Sequence, residues 1–189
     1  MRRNENLLLD LSNLPVAPNE VWVGDITYLP SSEEGIEYWL YLAVWMDLFS
    51  RKIVGWCVDE HMDESLVIRA LKQGIRNRQP EKGLIIHSAG GGQYGSNHFR
   101  ALLNRNQFRQ SMTRKDNHYD NANIESLFSR FRTEVLLIES FSGVKDAHLK
   151  IFDYIEAYYN TIRKHSALGY KSPNQFEERY WMDFWKSKF

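Results

Sequence analysis

The sequence contains a single cysteine and no long hydrophobic run, and each shortage excludes a class of protein. Cys57 alone can form neither an internal disulfide nor a cysteine-based zinc site. The longest nearly continuous apolar run, from Tyr38 to Met46, has the length of a strand and is too short to cross a membrane. The amino-terminal residues hold too short an apolar patch, and too many charges, to serve as a secretory signal. These absences predict a cytoplasmic protein without a membrane segment.

The chain also lacks an excess of charge of either sign. Its 24 basic and 24 acidic residues give a formal net charge of +0 at pH 7. Autonomous DNA-binding domains are usually basic, because neutralisation of phosphates supplies most of their affinity. A neutral chain that acts on nucleic acid therefore relies on another region or subunit to hold it. Basic residues nevertheless outnumber acidic ones between Arg100 and Arg132, which predicts a local basic face.

What the sequence does contain is typical of one globular domain. Its 189 residues are 43% hydrophobic and 25% charged, and they include no internal repeat and no low-complexity linker. Residues 1–19 carry Pro15 and Pro18 and are predicted to form an irregular lead-in. Residues 20–178 are predicted to form the folded core, and residues 179–189 a carboxy-terminal tail.

Three runs rich in β-branched and aromatic residues follow the lead-in and predict three strands. These runs cover residues 21–28, 38–46 and 52–58. Pro30 and the polar residues 31–35 are predicted to end the first strand and to form a turn. Because short turns join all three strands, an antiparallel meander is the expected arrangement.

The pattern then alternates between helical and strand periodicity. Apolar residues at three- and four-residue spacing indicate helices, and short apolar runs between turn residues indicate strands. The predicted elements are helices after the capping residues Asp63 and Ser96, strands over 83–87 and 107–112, and helices over 124–135 and 147–162. The resulting order, β-β-β-α-β-α-β-α-α, predicts an α/β fold with a five-stranded mixed sheet flanked by helices.

Three features are candidates for chemistry, and each has a plain structural alternative. Asp25 lies inside the first strand, where an ionised carboxylate is costly unless it is paired, bound to a cation or half exposed. Glu125 lies one residue off the apolar stripe of its helix, where most glutamates simply face water. The glycines at 90–92 form either a phosphate-binding loop or an ordinary turn, and the Lys-Ser/Thr ending of a P-loop is absent.

Several short stretches together carry a specific resemblance, although each alone is weak. They are Trp22-Val23-Gly24-Asp25-Ile26-Thr27-Tyr28, Asp47-Leu48-Phe49-Ser50-Arg51-Lys52-Ile53-Val54-Gly55-Trp56, His87-Ser88, Gly91, Gln93-Tyr94, Ser111-Met112, Arg114-Lys115, Tyr119-Asp120-Asn121-Ala122, Glu125-Ser126, Tyr159-Asn160, Arg163, His165, Leu168-Gly169-Tyr170, Ser172-Pro173 and Phe176-Glu177. In this order and spacing, the chain resembles the integrase-type (DDE) catalytic core of bacterial insertion-sequence transposases. That core is the second-frame product of the element and is similar to retroviral integrases.

The resemblance implies a catalytic trio of two aspartates and a glutamate, with thirty-five residues between the second and the third. Asp25 matches the first position and Glu125 the third. Ala89 stands where the second aspartate belongs, and Gly90 replaces the basic residue more usual beside it. The intact motifs around position 89 favour an engineered replacement over natural decay. Because alanine offers no oxygen, the chain is predicted to be nearly or wholly inactive.

The fold and chemistry of the family follow as expectations. The resemblance implies a ribonuclease H-like fold in which three antiparallel strands are followed by two parallel ones. It also implies two Mg²⁺ or Mn²⁺ ions at the carboxylates, and metal-dependent DNA strand cleavage and strand transfer by in-line phosphoryl transfer. Two alternatives stay open: a nuclease of the same fold that only hydrolyses, and a naturally inactive domesticated protein that binds DNA or a transposase.

The remaining motif residues have expected roles in DNA binding or in folding. Those expected to contact DNA are Gln93, Tyr94, Arg114, Lys115, Tyr119 and Arg132. Asn121 is expected to cap the glutamate helix, and His87 and His165 to support the fold.

The resemblance further implies the partners of the protein. They are double-stranded DNA (transposon ends and target), a second copy or a larger synaptic assembly, and a helix-turn-helix region supplied by a preceding segment. The expected location is the cytoplasm, at the bacterial nucleoid.

Overall fold

The chain folds around one five-stranded sheet with helices on both faces. The computed structural model describes residues 5–114 and 122–188. The strands are β1 (Val21–Glu33), β2 (Ile36–Asp47), β3 (Ile53–Asp59), β4 (Ile85–Ser88) and β5 (Arg109–Met112). The helices are α1 (Glu64–Arg78), α2 (Asn97–Asn106), α3 (Ala122–Phe131), α4 (Gly143–Phe152) and α5 (Pro173–Lys188), and π-helical turns follow α3 at Arg132–Leu136 and α4 at Asp153–Tyr159.

The order of the strands in the sheet is β3-β2-β1-β4-β5. β1, β2 and β3 pair antiparallel, whereas β4 pairs parallel with both β1 and β5. The parallel pairs require crossover connections, which α1 and α2 provide. The predicted fold, with three antiparallel strands followed by two parallel ones, is confirmed.

Pro30 does not end the first strand, which corrects the sequence-based prediction. β1 continues through Pro30 to Glu33 and pairs with β2 along its whole length, so that only Glu34 and Gly35 form the turn. The N–H of Ser32, two residues further on, points away from β2 and donates to the Phe141 carbonyl at 2.9 Å. The backbone nitrogen of Pro30 points to the same outer edge, because the N–H groups of every second residue in a strand point to the same side. β4 pairs with β1 only up to Gly24, so the N–H that proline lacks removes no ladder bond.

Each face of the sheet carries its own hydrophobic core. Successive residues of a strand point to opposite faces, so Val21 and Val23 pack in the core beneath α3 and α4, whereas Trp22 packs in the core beneath α1 and α2. Asp25 follows Val23 by two residues and therefore belongs to the face that α3 covers. The fold thus directs the carboxylate of β1 toward the helix that carries Glu125.

α5 is a helix that the sequence-based order of elements does not contain. It runs from Pro173 through the predicted core boundary at residue 178 to Lys188, and within it only Pro173 and Glu177 are buried. Phe176, Tyr180 and Phe184 repeat at four-residue spacing within it, an apolar stripe that the sequence-based prediction overlooked. Like the other helices within residues 5–114 and 122–188, α5 is not long and apolar enough to cross a membrane.

A buried ion pair anchors α5 to the rest of the fold. Glu177, 5% exposed, accepts hydrogen bonds from both terminal nitrogens of Arg78 at 2.8 Å and from the Ser50 hydroxyl at 2.7 Å. Ser50 also donates to Asp47, a fully buried carboxylate that caps the turn between β2 and β3. α1, α5 and this turn are therefore joined through one polar network.

Gly55 is the point at which α1 crosses β3 most closely. A Cβ atom at this position would lie 2.2 Å from the Ala70 carbonyl oxygen and 2.8 Å from the Gly74 nitrogen. These are backbone atoms that cannot turn aside, so Gly55→Ala is expected to lower the free energy of unfolding by about 1–3 kcal/mol in urea denaturation. Gly92→Ala is the matched control, since a Cβ there meets nothing within 4 Å. Equal losses in both variants would contradict the close-contact explanation.

Candidate active site

Asp25 and Ala89 occupy neighbouring positions on adjacent parallel strands. The ladder between β1 and β4 ends with the pair Gly24 and Ser88, and Asp25 and Ala89 are the residues that directly follow. Neighbouring strands lie about 4.8 Å apart. Both residues are partly exposed.

Glu125 approaches the same point from α3. Ile124, Leu127, Phe128 and Phe131 form the buried stripe that fixes this helix against the sheet. Glu125 lies beside that stripe and is exposed, and its negative charge raises the pKa of Asp25. The two carboxylates are therefore close enough to interact, although a hundred residues separate them in the sequence.

The Asp25 carboxylate is held in an unfavourable electrostatic environment. Burial is the largest cause that raises its pKa, to about 6, and the charge of Glu125 adds to it. The backbone N–H of Ile26 hydrogen-bonds the carboxylate and offsets part of the shift. A buried carboxylate beside a second one is stabilised when a cation binds between them. The environment of Asp25 thus favours a positively charged ligand.

The carboxylate oxygens at this point suit a hard divalent cation, but one of the three expected ligands is missing. Carboxylate oxygens are the ligands that Mg²⁺ and Mn²⁺ prefer, and Asp25 and Glu125 supply them. Ala89 supplies none, and the neighbouring Ser88 hydroxyl donates instead to the Ala89 carbonyl at 3.1 Å. Within residues 5–114 and 122–188, no three His, Cys, Asp or Glu side chains are grouped to hold a metal ion. Two of the three expected ligands are present.

Because the pKa of Asp25 is raised, the stability of the folded protein is expected to depend on pH. The folded protein binds this proton more tightly than the unfolded chain, so stability falls as the pH rises from 3.8 through about 6. Asp25→Asn removes the charge and is expected to stabilise the metal-free protein by up to about 3 kcal/mol at pH 8. The gain should shrink toward zero at pH 4 in thermal or urea unfolding with a chelator present. Asp153→Asn, at an exposed position, is the control, and an equal gain there would refute the argument.

The residues that follow β4 are held by the fold. His87 is fully buried and its Nδ1 lies 2.8 Å from the Ser111 hydroxyl on β5, an arrangement consistent with the predicted structural role. Gln93 is half-buried and donates to the Met62 carbonyl at 3.1 Å. These contacts position the loop that carries Ala89.

Tyr94 is a core residue, which does not fit its predicted contact with DNA. Its ring is 2% exposed and packs against Trp45 and Phe99 with ring centroids 5.9 and 5.7 Å away. Burial raises the pKa of the phenol well above its usual range. A large aromatic side chain two residues before a helix cap can serve either for packing or for binding, and in Tyr94 it serves for packing.

The basic residues predicted to contact DNA are only partly within the described ranges. Arg114 is exposed at the end of the chain segment that follows β5. Arg132 is also exposed and lies seven residues, or about two turns, after Glu125, which places it on the same flank of the helix. Lys115, Tyr119 and Asn121, the predicted helix cap, lie outside the described residues.

The carboxy-terminal motif builds a network that sequence reasoning did not find. Arg163 binds Glu134 through two nitrogens at 2.7 and 2.9 Å, and the Tyr154 hydroxyl donates to the same carboxylate at 2.9 Å. Burial, Arg163 and Arg51 together lower the pKa of His165 to about 4, so this imidazole is neutral at neutral pH. Arg163 belongs to a recognised stretch, but nothing in the sequence pairs it with Glu134 or brings Arg51 beside it.

Two family models match the chain, and both describe an integrase core domain. The first covers residues 15–118, which is more than half of the chain and includes Asp25 and Ala89. The second covers residues 106–173 and includes Glu125. Together they span all the strands of the sheet and, of the helices described above, α1 to α4.

Relatives of this chain include transposases of insertion sequences. The transposase for insertion sequence element IS904 of Lactococcus lactis subsp. lactis is 44% identical over 162 residues, which are 86% of this chain and 62% of that protein. Transposase InsF for insertion sequence IS3A of Escherichia coli is 40% identical over 176 residues, which are 93% of this chain and 59% of that protein. The chain therefore spans about three fifths of the length of these relatives.

Solved structures share the fold at low sequence identity. The HTLV-2 integrase catalytic core domain in complex with magnesium superposes with a TM-score of 0.56 at 18% identity, over 86% of this chain and 97% of that one. The catalytic domain of Mos1 mariner transposase superposes with a TM-score of 0.60 at 12% identity, over 74% of this chain and 71% of that one. Given the family match and the transposase relatives, the chain belongs to the integrase core domain family, as an integrase-type core of the kind found in insertion-sequence transposases.

Proposed function

We propose that this chain is the catalytic core of a transposase that cuts DNA at element ends and joins the ends to a target. The observation that carries the proposal is that Asp25 lies on the strand next to position 89 and that the charge of Glu125 adds to a raised pKa at Asp25, which a bound cation would relieve. The relatedness to transposases of insertion sequences supports the DNA substrate.

Asp25 and Glu125 would hold the divalent cation, Mg²⁺ or Mn²⁺, with a second ion in an enzyme that has aspartate at position 89. Such ions supply Lewis acidity to an in-line displacement at phosphorus, with water as the nucleophile in cleavage and a DNA 3′-hydroxyl in joining. The chain itself contributes a rigid placement of the two carboxylates, one on a central strand and one on a packed helix. Arg132 and Arg114 are proposed to contact phosphates near the cut end, and Gln93 to position the loop after β4.

The chain as written is proposed to be nearly or wholly inactive. Ala89 has no oxygen with which to bind a cation, and loss of one electrostatic or metal-binding group commonly reduces a reaction by several hundredfold or more. The position is either engineered or natural, and the survival of other motif residues, including Asp25, Gln93 and Glu125, favours engineering, although Gly90 also departs from the family pattern.

Ala89 is also the observation that favours a second candidate, a naturally inactive protein that binds DNA or a transposase. The two candidates differ in what restoring the carboxylate does. A transposase core with one missing ligand recovers activity when aspartate is introduced, whereas a chain that has diverged for another role does not. A nuclease of the same fold recovers only hydrolysis.

The test is an oligonucleotide assay with Mn²⁺ that resolves cut from joined products. The chain as written is expected to yield neither product, and Ala89→Asp is expected to yield both. Wild-type-like joining by the chain as written would overturn the proposed inactivity, and cut products alone from Ala89→Asp would favour the nuclease.

The partners and location of the whole protein are part of the proposal. We infer a dimer or larger synaptic assembly on paired element ends, and a helix-turn-helix region in a segment that precedes this core. This fits a chain that spans about three fifths of its relatives and has a net charge of +0. The proposed site of action is the nucleoid of a bacterial cytoplasm.

A further inference from the structure

A concave surface separate from the candidate active site, here called the basic cleft, lies on α3 and encloses about 540 Å³. It is bounded by α3, by the turn between β2 and β3, and by the segment that carries Arg163 to Tyr170. Four cationic side chains line it: Arg51, Arg130, Arg163 and Lys164. Among the residues that the structure describes, no aspartate or glutamate lines the cleft.

The cleft keeps a surplus of positive charge after its neighbouring carboxylates are counted. Glu134 pairs with Arg163, and Asp47 interacts electrostatically with Arg51. Four cations against these two carboxylates leave two positive charges. Because the whole chain is neutral, this surplus is a local property of the surface.

Arg51 is held in place by an uncommon backbone conformation. Its φ of 62° lies in the left-handed region, and its N–H donates to the Asp47 carbonyl at 2.9 Å, which closes the turn. Its half-buried guanidinium donates to the Asn123 side chain on α3, and in the described chain no carboxylate lies within ion-pair distance of it. Tyr170, which also lines the cleft, has a φ of 57°. Left-handed non-glycine residues are costly and persist where the surrounding structure enforces them, often at binding sites.

The cleft and Glu125 lie on opposite flanks of α3. A helix turns by about 100° per residue, so Asn123, Ser126 and Arg130 project about 100–160° around the axis from Glu125. Between the two flanks, the exposed residues Ala122 and Ser129 have small side chains. A nucleic-acid backbone can therefore cross α3 closely from the carboxylates to the cleft.

We propose that the basic cleft binds backbone phosphates of the DNA that leaves the active site across α3. Guanidinium groups match phosphate oxygens in geometry and charge, and Arg51 and Arg130 present them at the two walls of the cleft. A helix is about 10–12 Å wide and a DNA strand rises 3.4 Å per nucleotide, so the bound phosphate lies roughly three nucleotides from the reacting one. This inference rests on the proposed function.

The experiment measures binding of a labelled DNA duplex to the whole chain by fluorescence anisotropy over a series of salt concentrations. Arg51→Asn removes the charge while keeping a residue that tolerates the left-handed backbone, and Arg130→Gln removes a charge from an exposed helical position. Arg76→Gln, exposed on α1 at the other face of the sheet, is the matched control. Melting temperatures verify that each variant is folded.

Each cleft variant is expected to weaken binding about tenfold at low salt and to reduce the slope of log affinity against log salt by about one. The control should bind as the parent chain does. Parent-like affinity and slope in both cleft variants, or equal losses in Arg76→Gln, would overturn the cleft proposal. Joined products from Ala89→Asp would in that case leave the proposed function standing, so the two failures are distinguishable.

Discussion

Ala89→Asp is expected to raise Mn²⁺-dependent DNA cleavage and joining by at least ~100-fold over the chain as written. The new carboxylate would lie on the strand next to Asp25, since the ladder between β1 and β4 ends one residue earlier at Gly24 and Ser88. Position 89 is partly exposed and does not lie in either hydrophobic core. Single-turnover rates on a labelled element-end oligonucleotide measure the effect, and calorimetry should show tighter Mn²⁺ binding.

Two variants control for the shape of the new side chain and for the site. Ala89→Asn has nearly the same size as Ala89→Asp but no negative charge, and it should recover far less activity. Glu125→Gln added to Ala89→Asp should abolish the gain, because both carboxylates serve one cation site. Activity in Ala89→Asp no greater than in the asparagine variant would contradict the assignment of position 89 as a metal ligand.

Glu177→Ala is expected to lower the free energy of unfolding by about 3–5 kcal/mol, the largest loss of stability predicted for a single change in this chain. The substitution leaves the Arg78 guanidinium, whose side chain is 15% exposed, without the carboxylate that accepts two of its hydrogen bonds. It also removes one of the two carboxylates that can accept from the Ser50 hydroxyl in the turn between β2 and β3, the other being Asp47. Urea denaturation measures the loss.

The neighbouring residue supplies the control for this prediction. Glu178 is exposed, and Glu178→Ala should change stability by less than about 0.5 kcal/mol. The double replacement of Arg78 by methionine and Glu177 by leucine should lose less than Glu177→Ala, because it does not leave the Arg78 charge without its carboxylate; Lys52, which also pairs with Glu177, is partly exposed to solvent. If the two glutamate variants unfold at the same urea concentration, the ion pair does not anchor α5.

The antiparallel meander could be predicted because local patterns determine it, whereas the two parallel strands were expected from the resemblance and the position of β4 beside β1 was not predicted. Short turns between apolar runs indicate the antiparallel meander, and the two helical segments after Asp63 and Ser96 are long enough for parallel crossovers. The extension of β1 past Pro30 could not be predicted, because it depends on which sheet edge the missing N–H faces. Which edge the Pro30 nitrogen faces is determined only by the pairing of β1 with β2 and β4 in the folded sheet.

The candidate site was predictable to a different degree at each residue. Asp25 and Glu125 could be named from their motifs, and their electrostatic interaction in the fold supports that pairing. Tyr94 belongs to a motif as well, but the shared pattern does not distinguish a residue that packs from one that binds. The basic cleft could not be predicted from the sequence. It depends on contacts such as that between Arg51 and Asn123, which are 72 residues apart, and local spacing gives no information about such contacts.

Asp25 and Glu125 are a hundred residues apart in the sequence, so a partly synthesised chain can contain one carboxylate without the other. A chain that has emerged from the ribosome only as far as β5 contains Asp25 but lacks the helix that bears its partner. Even a chain that includes α3 needs α4 to complete the core on that face of the sheet. A fragment of the chain that ends before α3 therefore lacks Glu125, and a fragment that ends before α4 lacks part of the core that holds α3 against the sheet.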